Sequence, residues 1–157
     1  MRALATLAAT AIAALALAPA ALAIERPEYK QAVEPICQAN TKANERILKG
    51  VRNLVKDDKM KPAALKFEKA GKALKKAHAQ LTAVEQPAAD VAKLGKWLGY
   101  VKTEADLFGQ VATKLRQSKK GAAQTLVNKL TTNANQANAQ VLAFGFRYCR
   151  FEPSKFT

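Results

Sequence analysis

The side chains able to do chemistry in this sequence are few. Cys37 and Cys149 are the only cysteines and His78 is the only histidine. A di-iron bundle needs Glu-x-x-His pairs on facing helices, which one histidine cannot supply. Covalent haem attachment needs Cys-x-x-Cys-His, which does not occur. A haem held by His78 and Met60 would ask residues near opposite ends of one helix to meet on one iron. There is no glycine-rich phosphate loop, no paired-carboxylate arrangement and no serine nucleophile motif. His78, beside Ala77, reads as a solvated residue at a helix edge. No cofactor, no metal and no enzymatic activity are therefore expected.

Three constellations remain. Between residues 42 and 76 stand twelve Lys/Arg against four acids. On a helical wheel Lys42, Arg46, Lys49, Arg52 and Lys56 fall within one third of a turn, and so do Lys66, Lys69, Lys72 and Lys76 in the next segment. Ordinary exposed helices intersperse acids at i,i+4, whereas Glu45 and Glu68 are nearly alone here. Such a basic hairpin either keeps the protein soluble or contacts anions. The second constellation is uncharged: Gln124, Asn128, Thr131, Asn135 and Asn138 are spaced 4, 3, 4, 3, and Lys129 is the one charge between Gly121 and Phe146. A row of this kind either lines a ligand groove or is a neutral flank, or holds buried amides that set register, as Asn40 could in the first segment. The third is Trp97, Tyr100 and Glu104, on one helix face in a Gly95-x-x-x-Gly99 context. Close helix packing accounts for it, or a wall on which a ligand stacks.

The segments that must position these residues are helical. Punctuation at Asp58–Pro62, at Glu85–Asp90 with Pro87, and at Ser118–Gly121 divides the chain into four. Ala63, Phe67, Ala70, Leu74, Ala77, Leu81 and Val84 mark the second core stripe, stepping by four and three. Val91, Leu94, Leu98, Val101, Ala105, Phe108, Ala112 and Leu115 mark the third. Val127, Leu130, Ala134, Ala137, Val141, Phe144 and Tyr148 mark the fourth, and a looser set, Ile36, Asn40, Ala43, Ile47, Val51 and Leu54, the first. Helices of about 35 to 45 Å joined by short connections make an antiparallel up-down-up-down four-helix bundle the simplest all-α architecture. The alternation of Phe144, Phe146 and Tyr148 admits a local strand, but no other strand is available to pair with it.

Residues 1–23 have the form of a cleaved signal peptide. Arg2 precedes an uncharged Ala/Leu stretch, Pro19 breaks it, and Ala21-Leu22-Ala23 fits the small-x-small cleavage pattern. An uncleaved anchor is the alternative, weakened by twelve alanines in the twenty-one positions from Ala3 to Ala23. The mature chain, 24–157, is then one domain, with no transmembrane segment after cleavage. The whole chain carries 26 basic and 12 acidic side chains, a net +14, and loss of Arg2 brings this to +13. In an up-down-up-down bundle the start of helix one and the end of helix four share one end, and there Cys37 and Cys149 stand. Export permits a disulfide between them. The five aromatics of the last fourteen residues would plug that end beside the bridge, with Tyr29 packing from the other terminus and Pro153 stopping the helix.

With PICQANTKANERILKG near its start, KWLGYVKTEADLF in the middle and FGFRYCRFEP near its end, the chain resembles small exported all-helical proteins of unknown function from high-GC bacteria. The resemblance implies a secreted helical bundle with two terminal cysteines and no particular activity. Taken together, the residues point to an exported, periplasmic, cell-wall-associated or extracellular protein that binds. Its expected partner is an anionic envelope polymer or membrane surface met by the basic face, and export excludes nucleic acid as a physiological one. The alternative is a small-ligand carrier or sensor using Trp97, Tyr100, Glu104, Asn128, Asn135 and Asn138.

Overall fold

The structure, a computed structural model, describes residues 24–152. The signal-peptide reading of 1–23 and the stop at Pro153 lie outside the described residues. Four long helices, α1 (Arg26–Leu48), α3 (Met60–Thr82), α4 (Val91–Arg116) and α5 (Lys120–Gln140), are joined by short connections that include a six-residue helix, α2 (Val51–Lys56). Two 3-10 turns, Ala88–Asp90 and Leu142–Phe144, complete the helical structure, and no strand occurs among the described residues.

The first segment departs from its expected form in three ways. Its stripe was to begin at Ile36, but α1 begins ten residues earlier, where the Glu25 N–H donates to the Glu28 carboxylate at 3.2 Å and satisfies an N-terminal donor. The helix continues through Pro35. Proline removes the hydrogen bond to the Gln31 carbonyl, but both residues are exposed, so water can serve that carbonyl. Gly50, at φ +76°, ends the run in a left-handed conformation that suits glycine, and separates α1 from α2. Finally, the buried face of α1 is Tyr29, Val33, Cys37, Asn44 and Leu48. It is rotated by about one position from the expected stripe, leaving Ile36, Asn40, Ala43 and Ile47 half-buried.

The other stripes fall nearer to expectation. On α3, Ala63, Phe67, Ala70, Leu74, Ala77 and Leu81 are all buried. On α4 the expected set is buried apart from Val91, which is 52% exposed at the first position of the helix. α3 and α4 approach closely at Gly71, where an added Cβ would lie 3.2 Å from both the Ala105 carbonyl oxygen and the Phe108 Cβ. Phe67 packs on Phe108 nearby with ring centroids 5.9 Å apart. Lys75 pairs with Asp106 at 3.1 Å, and Glu68 with Arg116, so chain positions rise on α3 as they fall on α4. The expected close approach at Gly95-x-x-x-Gly99 does not occur. Both glycines are exposed, with nothing within 4 Å of an added Cβ, because the face that packs carries Leu94, Leu98 and Val101 instead.

The side-by-side contacts run α1 on α3, α3 on α4 and α4 on α5. Between α1 and α5 the terminal stretch intervenes. The helix expected to run through Val141, Phe144 and Tyr148 ends at Gln140, and the strand alternative fails as well. After the 3-10 turn, Gly145 adopts φ +58° and the chain crosses to α1. Polar groups of the neighbouring helices hold its backbone. Lys30 donates to the Gly145 carbonyl at 2.6 Å, and Glu34 accepts from the N–H groups of Arg147 and Tyr148. Asn138 grips Phe151 through both its carbonyl and its N–H, at 2.9 and 2.8 Å. The Cys37–Cys149 disulfide closes the crossing, with Cα atoms 5.0 Å apart. These bonds replace several of those that a continued helix would have made. The aromatic side chains are freed to pack, and Phe144 and Phe146 stack at 5.2 Å between Tyr29 and Trp97.

Candidate ligand cavity

The crossing segment forms one wall of a cavity of about 390 Å³. α1 contributes Asn40, Thr41 and Asn44, α3 contributes Leu74 and Ala77, and α4 contributes Trp97, Glu104 and Phe108. The disulfide, Tyr148 and Phe151 close the side left open between α1 and α5. Lys42, Glu45, Arg147, Arg150 and Glu152, all exposed, complete the lining and form its mouth.

Glu104 is the ionisable group of the interior, only 3% exposed. Its Oε2 accepts a 2.6 Å hydrogen bond from Asn133 Nδ2, which also donates to the Tyr100 carbonyl at 3.0 Å. Its Oε1 takes no hydrogen bond from a described residue. Burial disfavours the charged form and raises the Glu104 pKa to about 7; the Asn133 bond opposes that rise without cancelling it. Two further polar atoms of lining residues are buried without a partner, Trp97 Nε1 and Asn44 Oδ1. Asn44 spends its amide N–H on Asn40 Oδ1 at 3.4 Å. A buried polar atom without a partner costs about 1–3 kcal/mol, and here one such donor and one such acceptor belong to residues that share a lining with the Glu104 carboxyl.

The expected groove residues are divided by the fold. Trp97 and Glu104 belong to the cavity. Tyr100 is half-buried and contributes its backbone carbonyl to Asn133. Asn138 ties down the crossing segment. Asn128 and Asn135 are exposed and take no part, because the buried face of α5 is Ala123, Leu126, Leu130, Asn133, Ala134 and Ala137. Asn44 was missed because the buried stripe of α1 is rotated from the expected one; on α5 the expected Leu130, Ala134 and Ala137 are buried, but the buried face is wider than that stripe and takes in Asn133. The signal was present, since Asn133 falls three residues after Leu130 and seven after Leu126, and Asn44 seven after Cys37.

Lys42, Arg46, Lys49, Arg52, Lys56, Lys69, Lys72 and Lys76 are exposed. Lys72 pairs with Glu68 at 2.9 Å. Lys66 is half-buried and donates to the Ile47 carbonyl at 2.8 Å, joining α3 to the end of α1 near its αL break. Beside α2 lies an open groove of about 490 Å³ with Val51, Val55, Phe67, Val111 and Leu115 in its lining and Arg52, Lys56 and Lys120 among its cations. Among the described residues no helix is long and apolar enough to cross a membrane. One ion pair between an exposed arginine and a buried carboxylate escaped the sequence reading. Arg26 binds Asp90 through two bonds, at 2.5 and 2.7 Å, and holds that carboxyl below its ordinary range; it also lies over the Phe144 ring, fastening the start of α1 to the start of α4. No protein-family model matches the chain, and neither the curated proteins nor the solved structures include a match to it.

Proposed function

We propose that this is an exported, non-enzymatic binding protein, a carrier or sensor that holds a small ligand in the cavity between α1, α3, α4 and the crossing segment. The observation that carries this is the buried Glu104 carboxyl in the cavity lining, its Oε1 bonded by no described residue, together with two lining residues that carry unpartnered buried atoms, Trp97 Nε1 and Asn44 Oδ1. A volume near 390 Å³ lies within the range usual for small-molecule sites. Among the described residues only the Asn133 amide hydrogen-bonds the Glu104 carboxyl, an arrangement that suits binding. The four long helices are read as an up-down-up-down bundle, which the opposed pairing of α3 and α4 supports, and the disulfide agrees with an oxidising compartment. Trp97, the only tryptophan, reports on the cavity. Small molecules extracted from the cell envelope should shift its emission and raise the melting temperature, in high salt as well as low. No response of either kind would refute the cavity's role.

A second role, docking on an anionic envelope polymer or membrane surface, is favoured by the groove beside α2, where an apolar floor meets Arg52 and Lys56 of the basic face. Each cation near such a surface contributes about 1 kcal/mol, within a Debye length. Reversing Arg46, Lys49, Arg52 and Lys69 to glutamate should abolish envelope binding. Reversing Lys93, Lys102, Lys114 and Lys129 makes the same net change elsewhere and should not. Equal loss in both variants, or loss in neither, removes the basic face as a site.

A further inference from the structure

Resting on the small-ligand role proposed above, we infer that the cavity takes a small organic cation, an ammonium or protonated amine on an apolar body, with an N–H on Glu104 Oε1. Glu104 lines the cavity with an oxygen that no described residue bonds, and its carboxyl can carry a full negative charge. A ligand N–H satisfies that oxygen, and a positive charge on its nitrogen supplies the counter-ion that no described residue gives Glu104. An anion would instead meet a buried carboxyl, with the Trp97 indole N–H as the one buried donor left unmet in the lining. The remaining lining suits the body of an amine: Trp97, Phe108 and Tyr148 are aromatic, the last with Arg147 already over its ring, and Leu74 and Ala77 are apolar.

The charges around Glu104 come from each packed element. Asn133 of α5 holds its other oxygen, α3 contributes no charge to the lining, and α1 and the crossing segment place Lys42, Arg147 and Arg150 against Glu45 and Glu152 at the mouth. The mouth is therefore slightly positive and repels a cation. Those groups are exposed, and salt screens them over about 8 Å at physiological strength. They slow access more than they weaken the buried contact, so affinity holds or rises with salt. Binding requires the ionised carboxylate. A cation consequently displaces the proton that Glu104 retains up to about pH 7, and affinity should increase from pH 5 to pH 8 with release of a proton.

The test uses three probes with one body and different heads, 2-phenylethylammonium, 2-phenylethanol and 3-phenylpropanoate, titrated against Trp97 emission in the disulfide-bonded chain. The ammonium should bind at least about tenfold more tightly than either of the others, since a charge-assisted hydrogen bond is stronger than a neutral one. That advantage should grow with pH and disappear in Glu104→Gln. The variant removes an ionised group from the interior and should be at least as stable as the parent at pH 8, so loss of binding there is not loss of folding. Comparable or tighter binding of the alcohol or the propanoate overturns the cation assignment and leaves the small-ligand role standing. An ammonium affinity that is unchanged in Glu104→Gln, or that falls as pH rises, overturns it too. If no probe moves Trp97 emission the cation assignment fails, and the response to envelope small molecules judges the cavity separately.

Discussion

Glu104 should make the folded protein less stable as pH rises, against the usual behaviour of a carboxylate. Burial lifts its pKa from 4.5 to about 7, so between those values the folded state keeps a proton that the unfolded chain has released. The contribution is fully present below about pH 4.5 and is lost as pH passes through 7. At about 1.4 kcal/mol for each pH unit of that interval, the loss by pH 8 is about 3 kcal/mol, a large part of the 5–15 kcal/mol roughly available to a domain. Asp90 and Asp106 act in the opposite sense and at lower pH. Arg26 holds the first, and Lys75 with Lys102 the second, below their ordinary 3.8, so what they contribute is lost only as pH falls through the lowered values. Urea unfolding of the parent and of Glu104→Gln, repeated from pH 4 to pH 8, isolates the residue, because every other titration is common to both. The two free-energy curves should nearly coincide at pH 4 and separate by about 3 kcal/mol at pH 8, with the variant more stable. Parallel curves would refute the burial argument, since a carboxyl in free exchange with solvent gives no such divergence.

Replacing both Cys37 and Cys149 by serine should lower stability by up to about 4–5 kcal/mol on a chain-entropy treatment of a loop this long, read as a fall in the urea midpoint. Far-UV helical signal should persist because the packed α3–α4–α5 faces do not include the bridge, whereas Trp97 response to ligand should fall as the crossing wall comes loose. Gly71→Ala should lower the melting temperature: its methyl meets the α4 backbone at 3.2 Å, and overpacking of about 1–3 kcal/mol exceeds the gain in helix propensity. Gly99→Ala, with open space around it, should raise the melting temperature, by about 0.5–1 kcal/mol of added stability; a rise in both variants would contradict the close approach at Gly71.

The helical class and the three main interruptions were legible in the residues because they depend on local spacing. Apolar steps of three and four place Phe67, Leu74, Leu98 and Phe108 on faces that must be buried, whatever buries them. The pairing of Cys37 with Cys149 was legible too, since two cysteines alone allow one intramolecular partner. The exact azimuth of each face was less so. Alanine and asparagine are small enough to stand inside or outside; the stripe of α1 was misplaced, which hid Asn44, and the buried face of α5 proved wider than its expected stripe, which hid Asn133.

Tertiary structure decided the path after Gln140 and the chemistry of the cavity. Spacing in VLAFGFRYCRF favours a helix, but Lys30, Glu34 and Asn138 offer its backbone other partners, and Tyr29 and Trp97 receive its aromatic rings. None of those five neighbours is within reach along the chain as a continuous local pattern; they meet only when α1, α4 and α5 assemble. Glu104 shows the same division. Its position on the Trp97 face was evident in the sequence, but a carboxyl acquires a pKa near 7 only when packed helices exclude water from it, and that exclusion is a property of the assembled fold.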